Sequence, residues 1–221
     1  MKFTIIMGTW NRPHLIRRAV EAIVNQTYTD WQLIINEQGE GKGIDTIRDL
    51  LKDKRITYMY CVDRQGFQVG NMGMQIGAGD IFNVQADDDI MHPDCLQKVI
   101  DNLGDKKWLF GKVMKVNLKR ELLGEMGQRG DLNTLKGHNF IPLPAVFWTK
   151  EVYLKVGDFD PAYSLVQDYD YWLRVMKIYP DYAYIDECLI DYTCHPDQDS
   201  NRARRQIRIE ADLIRAKYKS S

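Results

Sequence analysis

The 221-residue sequence has only four cysteines, Cys61, Cys95, Cys188 and Cys194, and no two of them form a C-x-x-C pair. Zinc ribbons and thioredoxin-like redox sites are therefore excluded, and the four read most simply as reduced thiols. Long apolar runs are missing too. The apolar start, residues 1–7, is far too short for a signal-peptide core, and no later run approaches the length of a membrane-spanning helix. The chain is accordingly expected to be soluble and cytoplasmic. Excess charge of one sign is also absent, because 30 Lys and Arg stand against 31 Asp and Glu for a net charge of -1. No overall field argues for a nucleic-acid partner. Neither G-x-G-x-x-G after the first strand nor the G-K-[ST] of a P-loop occurs, which removes a dinucleotide-binding Rossmann domain and a P-loop nucleotidase.

What is present suffices for a sizeable core. Hydrophobic residues make up 44% of the chain, and its length suits one large domain or one domain with an appendage. In the first half, β-forming runs at 3–7, 31–35, 55–61 and 81–86 alternate with helical patterns starting at Asn11 and Pro13 and covering 43–51 and 68–78. That alternation predicts a mostly parallel sheet covered on both faces, with ligands at the C-terminal strand ends. Polar residues gather at those ends: Thr9 and Asn11, Glu37 and Gln38, Asp63 and Arg64, then Asp87, Asp88 and Asp89. Three adjacent carboxylates repel one another and lose hydration there, so something must neutralise them, most often a divalent cation with positions left for phosphate oxygens. The other reading is a solvated acidic turn capping the helix that begins near Pro93.

After residue 103 the pattern changes. Residues 108–118 predict one long strand or a bent pair, 122–136 a Gly-rich mobile loop, and 145–148 a short apolar strand. A helix begins at Asp168, two short strands cover 182–185 and 188–194, and a last helix sets Ile207, Ala211, Ile214 and Tyr218 beneath a basic face. That basic helix either packs on its own domain or makes peripheral contact with anionic lipid.

Four segments in this order resemble the family 2 glycosyltransferases of GT-A fold. Thr4 to Pro13 is similar to that family's opening strand and turn, and Asn25-Gln26-Thr27-Tyr28 to its N-Q-T-Y. Asp88-Asp89 with Pro93-Asp94 resembles the D-x-D region and its trailing proline. Gly157-Asp158-Phe159-Asp160 and Asp168-Tyr169-Asp170-Tyr171-Trp172-Leu173-Arg174 resemble G-G-F-D and E-D-Y-D-x-W-L-R. The resemblance implies an α/β fold of the GT-A type: a Rossmann-like three-layer sandwich with a mostly parallel central sheet and a small antiparallel second half. It implies one domain, with a nucleotide-sugar-binding half at 1–103, an acceptor-binding half at 104–198 and the basic helix at 199–221.

The implied activity is inverting transfer of a sugar from a nucleotide-diphosphate donor, a UDP-sugar first, to a hydroxyl of a glycan or lipid-linked acceptor, with Mn²⁺ or Mg²⁺. Asp168 would be the general base, though an Asp at a helix start is also an N-cap. Thr9, Asn11, Arg12, Glu37, Arg64, Asn71 and Asp87 would bind the donor. Metal contact falls first to Asp88, then to Asp89, with His195 as third ligand if it is not simply a core or surface histidine. The D-x-D register is open between 86–88 and 87–89. Trp148 and Trp172 either stack on sugars or lie in the core, which is favoured for Trp172. Four positions depart from the family pattern: Gln38 in D-D-G-S, Gly70 in R-N-x-G, Ala86 and Gln167. They keep a second reading open, a nucleotide-sugar-binding protein without transfer activity. A sugar nucleotidyltransferase would carry a Gly-rich, Arg-containing loop after the first strand, and Thr9-Trp10-Asn11-Arg12-Pro13 has none.

Overall fold

In the computed structural model, which describes residues 1–62 and 68–219, the apolar opening forms β1 (Phe3–Trp10). Pro13, with φ already helical and no N–H to lose, starts the amphipathic α1 (Pro13–Val24). Then follow β2 (Trp31–Gln38), α2 (Gly43–Ile47), β3 (Ile56–Cys61), α3 (Gln68–Ile76), β4 (Ile81–Ala86), β5 (Ile90–Met91) and α4 (Cys95–Leu103). The second half contains β6 (Trp108–Asn117), β7 (Leu122–Met126), α5 (Leu132–Gly137), β8 (Val146–Thr149), α6 (Lys150–Val156), α7 (Gln167–Ile178), β9 (Ala183–Cys194), α8 (Asp199–Arg202) and α9 (Arg204–Lys219).

One sheet runs through both halves in the order β3-β2-β1-β4-β8-β6-β9-β5, with β7 on the side of β6. β1, β2, β3 and β4 are parallel; β8 turns the direction by pairing antiparallel with both β4 and β6. Two apolar clusters cover the two faces. On one face, Phe3, Ile5 and Met7 of β1 pack with Ile16, Val20 and Ile23 of α1 and Leu96 and Val99 of α4. On the other, Ile6 and Phe82 pack with Val69, Trp108, Trp148 and Trp172. Burying each such side chain contributes roughly 1.5–3 kcal/mol, so the sheet is the rigid base on which the strand ends are held. Trp148 and Trp172 are both core residues, their rings 5.4 Å apart.

Two expectations are corrected. Residues 122–136 are not a mobile loop: Leu122–Met126 pairs with β6, and α5 is capped by Asp131, whose carboxylate accepts from Thr134 N. The runs at 182–185 and 188–194 are one strand, β9, whose pairing with β6 shifts register around Lys112. A bulge in mid-strand interrupts the alternation that signals continuity. The alternatives for 108–118 resolve to one long strand.

Candidate active site

The C-terminal ends of β1 and β4 lie side by side, with Gly8 opposite Ala86. They open onto a cleft of about 750 Å³ bounded across from them by residues 139–144, by the segment 159–165 and by the start of α7. Thr9, Arg12, Asn71, Asp87, Asp88, Asp89 and Asp168 all line it. The sheet thus brings the acidic triplet of the first half to the same cavity as the aspartate of the second.

Each acid of the triplet has a different partner. Asp87 accepts from Thr9 Oγ1 at 2.6 Å and from Arg12 at 3.0 Å. Asp88 Oδ2 takes Arg12 at 3.1 Å and lies 2.8 Å from His195 Nε2. Asp89 turns the other way and accepts from Thr193 N at 2.9 Å. Burial, reinforced by the adjacent Asp88, pushes the Asp87 carboxyl up to about 6 despite Arg12 and Thr9. The same two causes raise Asp89 well above the ordinary carboxylate range. Against the three acids of this buried strand end stand the Arg12 guanidinium, the Thr9 hydroxyl and the Thr193 N–H.

Carboxylate oxygen and imidazole nitrogen suit Mn²⁺ or Mg²⁺ when phosphate oxygens and water complete the sphere. Asp88 Oδ2 and His195 Nε2 converge as neighbouring ligands of one ion would, and they fit it as two protein donors. Asp87 and Asp89 are engaged elsewhere, and among the described residues no three His, Cys, Asp or Glu are grouped as metal ligands.

Asp168 sits in the first turn of α7, half-buried at the cleft, where Asn139 Nδ2 donates to it at 3.1 Å. Burial pushes its carboxyl up to about 6, against the opposing hydrogen bonds from the Tyr169 backbone and Asn139. Val166, not Asp168, is the capping position, and no side chain caps α7. Beside it Gln167 Oε1 is buried without a hydrogen-bond partner among the described residues, as are both amide atoms of Gln85 in the cleft wall.

Other residues singled out from the sequence sit around this centre with defined tasks. Glu37 accepts from Gly43 N, from Ile44 N at 2.8 Å and from Tyr58 OH at 2.6 Å, so its carboxylate holds the start of α2. Asn11, at φ 52°, accepts from Glu40 N at 2.7 Å and shapes the turn after β2. Asn71 exchanges two hydrogen bonds with the backbone of Phe159, 3.0 and 2.8 Å, tying α3 to the G-D-F-D segment. Gly70 explains one departure from the family pattern, since a Cβ there would stand 3.0 Å from the Phe159 ring. Gln26 donates to His92 O at 2.7 Å and accepts from Leu96 N, which joins the end of α1 to the loop behind the acids. Arg64 and Asp63 lie outside the described residues.

No local pattern singles out Asn139, Thr193 or Glu210. Glu210 of α9 accepts from Ser164 N (3.0 Å), Ser164 Oγ (2.7 Å) and Leu165 N (2.9 Å), just ahead of Asp168. Asp170, fully buried, accepts from Arg174, Lys217 and Tyr218, which docks α9 on the first turn of α7.

This strand order, with an acidic strand end facing a cleft built from a partly antiparallel second half, is the GT-A architecture. The fold of Staphylococcus aureus TarS residues 1–349 in complex with UDP matches 99% of this chain and 70% of that one, with TM-score 0.70 and 14% identity. The mannosyltransferase PcManGT of Pyrobaculum calidifontis, in complex with GDP-Man and Mn²⁺, matches over 97% of this chain and 62% of that one, with TM-score 0.67 and 16% identity. The model of Glycosyl transferase family 2 matches residues 4–146, and the chain belongs to that family. An uncharacterized glycosyltransferase of Methanocaldococcus jannaschii is 26% identical over 91% of this chain and 73% of its own length. One from Rickettsia prowazekii is 25% identical over 95% and 69% respectively.

Proposed function

We propose that this glycosyltransferase moves a sugar, with inversion, from a nucleotide-diphosphate donor to an acceptor hydroxyl. The observation that carries the reading is one cavity bearing a phosphate-suited acidic strand end on one wall and a raised, half-buried Asp168 on the other. The nucleotide complexes of TarS and PcManGT support the donor class.

Asp88 and His195 would hold a divalent cation, which when bound offsets the negative charge growing on the departing diphosphate. Arg12, held between Asp87 and Asp88 at 3.0 and 3.1 Å, sets a fixed positive charge at the same strand end. Asp87 and Thr9 keep that guanidinium in place. Across the cleft Asp168 accepts the proton of the acceptor hydroxyl, and Asn139 steadies its carboxylate by donating to Oδ2 at 3.1 Å. A carboxyl near 6 is ionised at neutral pH yet basic enough to draw a proton in the transition state. One base opposite the leaving group suffices for a single displacement, which inverts the sugar. The halves then divide as donor side, 1–103, and acceptor side, 104–198.

The test is calorimetric titration of UDP, GDP, TDP and CDP, each with and without Mn²⁺, into the native chain and Asp88→Ala. Metal-dependent binding of one diphosphate, lost in the variant, is the expected result. No binding under any condition would favour the reading as a protein of this fold without transfer activity.

A further inference from the structure

One guanidinium touches both prospective ligands of the cation. Arg12 Nη1 donates to Asp88 Oδ2 at 3.1 Å, the same oxygen that lies 2.8 Å from His195 Nε2. Arg12 Nη2 donates to the Asp197 carbonyl at 3.3 Å, in the segment that follows His195. An ion taken by Asp88 and His195 together must sit on the Oδ2 side of the carboxylate, where Arg12 already stands. The side chains of Asp87 and Asp88 are only 2% and 4% exposed and that of Arg12 19%, so solvent screens the pairing little. A dication and a guanidinium on one such oxygen repel each other strongly.

Arg12 can leave Asp88 without leaving the strand end. Its Nη1 also donates to Asp87 Oδ1 at 3.0 Å, and Thr9 Oγ1 holds the other oxygen of Asp87 at 2.6 Å. His195 keeps its place as well, because its N–H donates to Gln198 Oε1 at 3.1 Å and its carbonyl accepts from Asn201 Nδ2 at 2.8 Å. Asp87 is thus a tether for the guanidinium, and Asp88 the partner it can give up. A divalent cation arriving alone meets the displaced guanidinium as an unpaired like charge. A diphosphate brings oxygens for both, so anion and cation favour each other's binding.

We propose that Arg12 is a displaceable counter-ion that makes cation binding depend on the nucleotide: it covers Asp88 Oδ2 until a diphosphate arrives, then turns on Asp87 to meet a phosphate oxygen. The proposal rests on the reading of Asp88 and His195 as cation ligands, and Arg12 acts through them as a positioning residue. Without nucleotide, the acidic strand end is neutralised from within and takes up little metal.

The test titrates Mn²⁺ into the full chain and follows the free-ion electron paramagnetic resonance signal, without nucleotide and with UDP or GDP, against protein-free blanks. The native chain should bind Mn²⁺ weakly alone and roughly tenfold or more tightly with the diphosphate that fits. Arg12→Gln should bind Mn²⁺ alone roughly tenfold or more tightly than native and lose most of the nucleotide effect, whereas Arg12→Lys, which keeps the charge, should stay near native. Arg12→Gln/Asp88→Ala should abolish the tight binding, and Arg17→Gln, which breaks an exposed pairing with Glu21 and Asp49, should change nothing. In the native chain the Arg12 side-chain N–H resonances, identified by their loss in Arg12→Lys, should move with Mg²⁺ and nucleotide together and stay in place with Mg²⁺ alone. That reading does not require Arg12→Gln to fold. Mn²⁺ bound as tightly by native chain as by Arg12→Gln, tight binding that survives Asp88→Ala, or Arg12 resonances that never move would overturn the proposal. Nucleotide-dependent Mn²⁺ binding lost in Asp88→Ala but unaltered in Arg12→Gln would remove it alone. No Mn²⁺ binding by any chain under any condition would remove the cation reading of the cleft and the proposal with it.

Discussion

Asp168 is the residue at which stability and activity pull in opposite directions. Its carboxyl is raised to about 6 by burial, so the folded protein prefers the protonated form more than the unfolded chain does. The sign follows: whatever stability the protonated carboxyl supplies is fully present below about pH 4 and is lost as pH rises through 6. Asp168→Asn should thus raise thermal stability at pH 7.5, by about 2 kcal/mol after allowance for the solvent that reaches the group, and by little at pH 4. The same substitution should lower transfer by roughly 10²–10⁴-fold with nucleotide affinity unchanged. In the native enzyme kcat should fall along an acid limb near pH 6; a limb unmoved from the ordinary aspartate range would remove Asp168 as the base. The acids and Asp168 were legible in the sequence because strand-end carboxylates and the D-Y-D-Y-W-L-R run carry local patterns. Glu37 reads from the sequence as a donor-binding acid, and its tasks with Gly43, Ile44 and Tyr58 depend on residues 6, 7 and 21 positions away. Asn139 and Thr193 had no local signal, since each matters only through a partner 29 or 104 positions distant.

At the scale of elements, α9 reaches back to the segment just ahead of Asp168. Glu210 is nearly buried, and although burial opposes its ionisation, the Ser164 hydroxyl and the Leu165 and Ser164 N–H groups hold its carboxyl below the usual range. Glu210→Ala leaves those N–H groups without their acceptor and should destabilise the fold by about 1–3 kcal/mol. Glu210→Gln keeps the shape and one acceptor; kcat should fall several-fold while the affinity for nucleotide stays native, because the donor wall is built from other elements. A parallel fall in nucleotide affinity would make α9 a general support of the fold. Close approach of α3 to β1 invites a second substitution: a Cβ at Gly73 would stand 2.4 Å from Ile6 Cγ2, so Gly73→Ala should destabilise by about 1–3 kcal/mol through overpacking, measured by denaturant midpoint. The first-half elements were readable because each helix and strand shows one unbroken period. β7 and β9 were not. β7 carries no buried side, so Leu122-Leu123-Gly124-Glu125-Met126 has no alternation to detect, and β9 is broken by its bulge.

For the whole molecule, the cleft lies where β4 and β8 part, so its two walls hang from one continuous sheet and not from two hinged bodies. A ligand that binds there binds only the folded chain, and its free energy adds to that of the entire sheet. Nucleoside diphosphate with Mn²⁺ at about 100 times its dissociation constant should stabilise the protein by about 2.7 kcal/mol. For a chain of 221 residues that amounts to an upward shift in Tm of roughly 5–10 °C. Because the sheet is shared, unfolding with and without ligand should be a single transition in which fluorescence of the core Trp148 and Trp172, from the second half of the chain, moves together with circular dichroism. Asp88→Ala should retain one transition and lose the metal-dependent part of the shift, each variant compared with its own ligand-free midpoint. Two resolved transitions, with only the first moved by nucleotide, would mean that residues 1–103 fold as an independent donor domain. The base would then be presented by a body free to swing, and the distance between Asp88 and Asp168 would be set by ligand instead of by β8.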